Sequence, residues 1–161
     1  MLNFLANNRP PVTVMIQSKT AENAINTIRS AIYEGADAFG LQICRIEPEE
    51  RKRLNDIFES GSGRPFYITN YRYGYNEGLS DDECMKGLIE GLKIGGTLGD
   101  IPGDTFDKSP NELTANPTAI DKQRKIIDEI HKMDKEVLIS SHLYRFAEAD
   151  EVLEIAYEHQ R

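Results

Sequence analysis

His142 closes a short apolar run, Lys135-Glu-Val-Leu-Ile-Ser-Ser-His142. An imidazole at the end of such a run can take and release a proton near neutral pH, as a general acid and base must. The plainer reading is a histidine that only caps the strand end. Arg72 follows another apolar run, Pro65 to Asn70, with Tyr71, Tyr73 and Tyr75 around it. Its guanidinium fork suits a carboxylate or hydroxyl groups in a partly aromatic pocket, or else a surface stack on the tyrosines. Asp100, Asp104 and Asp107 offer the oxygens that Mg2+ or Ca2+ prefers. Their spacing matches no EF-hand, and Pro102, Gly103 and Thr105 stand at turn positions, so Asx-turns and caps are the simpler account. No metal and no cofactor is expected. Cys44 ends an apolar stretch and reads as a buried small hydrophobe. His131 and His159 fall among polar helix neighbours and read as surface residues.

Those residues must be held by alternating strands and helices. Residues 11–17 form a β-branched, apolar run, the pattern of a buried parallel strand. Thr20 can cap the helix that follows, with Glu22 favouring its dipole. That helix carries a stripe at Ala24, Ile25, Ile28, Ala31 and Ile32 and stops at Gly35. Residues 36–43 read as a second strand. Pro48 is placed in the first turn of the next helix, with Arg51-Lys52-Arg53 on its solvated face and Leu54, Ile57 and Phe58 inward. Gly61-Ser-Gly63 ends it. The third strand is 65–70, followed by a polar loop and a capping box, Ser80 with Glu83. Met85, Leu88, Ile89 and Leu92 line the third helix. A fourth strand is expected near 97–101, then a long polar segment from Asp104 to Pro117 of the kind that is often functional. A helix from about Thr118 to Met133, a strand over 135–142 and a helix over 149–159 complete the chain.

Repeated βα units imply parallel strands with right-handed crossovers. Five units could form a doubly wound, flavodoxin-type sheet, but such folds usually carry a Gly-rich turn after the first strand. Here that turn is Gln17-Ser-Lys-Thr20. The expected fold is therefore a (β/α)8 TIM barrel, present as an incomplete N-terminal portion of about five βα units in one domain over 1–161. A whole barrel usually needs ~250 residues.

Met15-Ile-Gln-Ser-Lys-Thr20, Gly35-Ala-Asp-Ala-Phe39, Ile68-Thr-Asn-Tyr-Arg72 and Val137-Leu-Ile-Ser-Ser-His142 occur in order at four strand positions. In this the chain resembles the type I 3-dehydroquinate dehydratases. The resemblance implies a (β/α)8 barrel and a Schiff-base dehydration of a cyclic keto acid in the shikimate pathway, on the way to aromatic amino acids. It makes His142 the general acid and base and Arg72 a substrate contact. Asp100 matches an acid ending the fourth strand, and Glu77 lies near a family acid with its spacing from Arg72 differing by one. The second strand departs from the family. Gly40 and Gln42 stand where a Glu and an Arg usually contact substrate, which leaves Gln42 as the candidate contact there. The family's imine-forming lysine lies on a sixth strand. None of the lysines here ends an apolar strand, so the isolated chain is expected to be inactive. The other expectation is a non-catalytic barrel remnant that binds a small anion or a partner protein.

Composition narrows the partners. A net charge of −8, with no basic run, argues against nucleic acid. No apolar segment nears the ~20 residues of a membrane span, and Met1 to Leu5 lacks a signal-peptide pattern. Two cysteines outside any CxxC pair fit a reduced, cytoplasmic protein. The expected partners are a small keto acid and further copies of the chain, because a partial barrel exposes strand edges.

Overall fold

The computed structural model describes Phe4 and residues 9–160. Apart from Phe4, the segment Met1 to Leu5 lies outside the described residues. Five strands, β1 (Thr13–Ile16), β2 (Ala38–Gln42), β3 (Phe66–Thr69), β4 (Leu98–Pro102) and β5 (Glu136–Ser140), alternate with five helices. These are α1 (Ala21–Tyr33), α2 (Leu54–Ser60), α3 (Asp81–Ile94), α4 (Pro117–Lys132) and α5 (Ala149–Gln160). All pairings are parallel and the order is β1-β2-β3-β4-β5.

That order decides between the two expected architectures. A flavodoxin-type sheet would place β1 inside and helices on both faces. Here β1 and β5 are the two edges, and the strand residues of the hydrophobic core all come from one face. Ile16, Phe39, Leu41, Phe66, Ile68 and Ile101 meet Ala24 and Ile28 of α1, Ile57 of α2, Leu88 and Leu92 of α3 and Ile130 of α4. Strand side chains alternate between faces, so Met15, Gly40, Gln42, Tyr67, Thr69, Asp100 and Leu138 share the opposite, concave face. The architecture is the singly wound one of a partial TIM-barrel-like fold. At its edges the concave face is open: Met15 and Leu138 are 42% and 43% exposed.

Local signals set the helix ends. Thr20 accepts a hydrogen bond from the Asn23 amide at 3.3 Å, and Ser80 and Glu83 complete the capping box. Asn116 caps α4 just before Pro117, which needs no N–H partner in a first turn. The segment after β2 departs from expectation. Residues 48–50 form turns and Arg51–Arg53 a 3-10 turn, so α2 begins only at Leu54. Arg51 is no solvated face residue either. Its Nε donates to the Ile46 carbonyl at 3.0 Å and its guanidinium to Asn76 Oδ1 at 2.9 Å. Both bonds are made from the 3-10 turn that precedes α2.

Among the described residues, no helix is long and apolar enough to cross a membrane. The aromatic centre of the core is Phe66, 5.2 Å from the Phe39 ring and edge-on to Phe58 at 5.0 Å. Phe66→Ala is expected to lower unfolding free energy by about 3–5 kcal/mol, as buried aromatic truncations do. Urea denaturation measures it; a loss under ~1 kcal/mol would mean that this ring cluster does not organise the core.

Candidate active site

Parallel strands end together at one rim, and the residues just beyond their C-terminal ends converge there. Gln17, Gln42, Tyr71, Pro102 and His142 follow or end β1 to β5 in turn, and all line one cavity of about 780 Å3. Arg72, Glu77 and Asp104 line it too, as do Glu112 and Lys108 from the loop between β4 and α4.

His142 is held by a residue that no sequence pattern pointed to. Glu112 Oε2 accepts from the His142 backbone amide at 2.8 Å and from Nδ1 at 2.7 Å. A carboxylate only accepts, so Nδ1 carries the proton. Among the described residues Nε2 has no partner, and it is therefore the nitrogen free to act on a ligand. Tyr71 packs edge-on against the imidazole, with ring centroids 5.4 Å apart.

The Glu112 loop is built to present that carboxylate. Asp104 Oδ2 accepts from Ser109 N at 2.9 Å, and the Ser109 hydroxyl bonds both the amide and the carbonyl of Leu113. Gln123 of α4 donates to the carbonyls of Gly103 and Thr105. Ser141, next to His142, donates from its hydroxyl to the Glu112 carbonyl at 2.8 Å. Since Ser141 has one proton to give, His159 Nε2 must be the donor in their 2.7 Å contact. His159 is thus not the surface residue that its helix suggested. It packs half-buried against this loop, and burial pushes its pKa down.

Asp100 does not reach the cavity as a substrate contact. It is fully buried, and its Oδ2 accepts from the hydroxyls of both Tyr67 and Tyr71, which do line the cavity. Burial, followed by the Asp100 charge, raises the pKa of both phenols, so they stay protonated and remain donors to it. Arg72 lies on the wall but is already matched: it pairs with Asp104 and, at 3.4 Å, with Asp81. The aromatic stack of the site belongs instead to Arg45, whose guanidinium lies 4.9 Å from the Tyr73 ring centroid.

Gln42 and Glu77 line the wall. Gln42 is buried with its Oε1 unpartnered. At Gly40 an added Cβ would fall 1.9 Å from Met15 Sδ, so Met15 fills the space where the resemblance places a charged side chain. Asp104 and Asp107 bond within the loop, and among the described residues no group of three or more His, Cys, Asp or Glu could hold a metal ion. Cys44 is buried, and desolvation raises its thiol pKa. Lys108 is the one lysine on the cavity wall among the described residues, and it comes from a loop.

No family model matches the chain, and no curated protein matches it by sequence. Solved structures do match in shape. The chain superposes on a 3-dehydroquinate dehydratase from Enterococcus faecalis with a TM-score of 0.69 and 19% identity. The match covers 96% of this chain and 62% of that one, so the chain spans under two thirds of the dehydratase's length. A protein described as a mandelate racemase/muconate lactonizing enzyme, from Sorangium cellulosum, gives a TM-score of 0.48 at 15% identity, covering 92% of this chain and 36% of that one. The first likeness establishes a shared fold.

Two measurements follow from the geometry. Tyr71→Phe removes one of two donors to a buried carboxylate and is expected to destabilise the fold by about 1–3 kcal/mol; an unchanged urea midpoint would show that Asp100 does not depend on it. His159 titrates lower in the folded chain than in the unfolded one. The unfolded chain therefore binds the proton first as pH falls below ~6.5, and stability drops from there until the folded imidazole also protonates. His159→Gln should flatten that decline between about pH 7 and pH 5. Identical slopes would place the imidazole in solvent.

Proposed function

We propose that the cavity is the acid–base half of a lyase site resembling that of type I 3-dehydroquinate dehydratases, acting on a small keto acid. The observation that carries this reading is the His142–Glu112 pair on the cavity wall. Glu112 fixes the tautomer and leaves Nε2 free, which is the arrangement a proton-transferring histidine needs. Removing a proton beside a ketone and returning it to a departing hydroxyl are both within reach of one such nitrogen. Gln42 and Glu77 would contact the substrate's polar groups. The imine-forming amine that the resemblance implies does not come from the five strands described here. Lys135 precedes β5, and Lys108 is exposed in its loop. The fold shared with the Enterococcus faecalis dehydratase supports this reading without assigning the substrate.

A specific observation favours a second reading, a binding site without chemistry. Met15 over Gly40 replaces polar contacts with a thioether, and no strand-end lysine faces the cavity among the described residues.

Turnover of 3-dehydroquinate by the whole protein tests the proposal. His142→Ala is expected to reduce the rate by ~10²–10⁴-fold, the range of a positioned acid–base group. Glu112→Gln, which keeps an acceptor oxygen but not the charge, should fall between wild type and His142→Ala. Full activity in His142→Ala would sink the lyase reading. Ligand binding with neither turnover nor borohydride trapping would establish the second one.

A further inference from the structure

The cations around the rim are not equivalent. Arg72, the obvious anion-binding residue, is neutralised by Asp104 and Asp81. Arg45 and Lys19 have no carboxylate within 4.0 Å among the described residues, although the chain carries 27 acids against 19 Lys and Arg. Lys108 on the main cavity wall has none either, so what sets Arg45 and Lys19 apart is their place.

They share a recess. A second hollow of about 250 Å3 adjoins the main cavity and is lined by Gln17, Lys19, Arg45, Gly74 and Tyr75. Gln17, Arg45 and Gly74 line the main cavity as well, so the two spaces meet along these residues. The backbone holds Arg45 in place. Gly74 has φ +65°, and an added Cβ would lie 2.6 Å from the Cys44 carbonyl, so only glycine lets the segment after β3 approach the turn after β2 this closely. That approach puts Tyr73 under the Arg45 guanidinium. A guanidinium stacked on a ring keeps its N–H edge free for in-plane acceptors and loses little freedom on binding. Glu47 does not line the recess, and its carboxylate accepts the Tyr75 hydroxyl at 3.0 Å.

We propose that this recess is an anion subsite in which Arg45 and Lys19 receive a carboxylate or phosphate group of the ligand. The acidic group then binds on the β1–β2 side of the rim, and Arg72 serves to anchor the Asp104 loop. The rest of the ligand lies in the main cavity towards His142. This deepens the proposed lyase reading by assigning the ligand's charged end, and it rests on that reading only for the ligand's reactive end. It implies a ligand long enough to reach from the recess to the imidazole.

Binding of inorganic phosphate and of malonate, each followed by NMR titration of the wild-type chain, tests the subsite directly. Both should shift the amides of residues 17–19, 45 and 74, more weakly at high ionic strength because the pair is solvent-facing. Arg45→Gln is expected to weaken the preferred anion by about 10- to 100-fold, the range for losing a charged hydrogen-bond partner. Lys19→Gln should produce a smaller loss. The stronger binder of the two identifies the group as phosphate or carboxylate. Both Arg45 and Lys19 are exposed, so neither change threatens folding. Absence of binding to the wild type, unchanged affinity in Arg45→Gln, or a larger loss in Arg72→Gln would overturn the proposal. These outcomes are independent of turnover: full activity in His142→Ala removes the lyase reading and leaves the subsite standing.

Discussion

One oxygen of Glu112 accepts two hydrogen bonds from His142, and much of the rim exists to bring that oxygen there. The strands supply half of the geometry: β5 ends at Ser140, so the His142 amide and imidazole emerge at the mouth of the sheet. The other half comes from the loop between β4 and α4, fixed by Asp104 and Ser109 within it, by Gln123 from α4 and by Ser141 from the strand end. His159 then ties α5 to the same point. Loosen the loop and the histidine loses its tautomer preference along with its orientation.

The distribution of charge around this rim follows from burial rather than from net charge. Asp100 lies where water cannot reach it, and two phenol hydroxyls take over the solvation of one of its oxygens. Asp104 is nearly as buried and is matched by Arg72. Those acids draw nearby donors inward, while Arg45, in the short turn after β2, finds an aromatic face instead of an acid. An ion pair that anchors a loop and a cation open to a ligand thus lie on the same wall.

Most of the fold was legible in the sequence because its signals are local. Thr20, Ser80 with Glu83, and the stripe on α4 each mark an element through residues within a turn or two of one another, and the strand-end motifs placed His142 and Gln42 on the rim. What failed depended on distant partners. Arg51 sits in a charge run that looks solvated until Asn76, 25 residues on, supplies its acceptor. Glu112 is one acid among many in a polar segment; nothing in its neighbours announces a bond to a histidine 30 residues later. His159 follows the same logic from α5. Asp100 was placed on the correct strand, but its burial beneath two tyrosines is a property of packing that a position in a strand does not carry.

Glu112 has φ +47°, in the left-handed region that side chains other than glycine and asparagine rarely occupy. Glycine there would relax the backbone, and it would remove the carboxylate that His142 leans on. Stability and chemistry therefore pull position 112 in opposite directions. A population of variants selected only for surviving heat would drift toward glycine at this site, and one selected for turnover would keep the acid, so the residue recovered records which of the two demands the selection imposed.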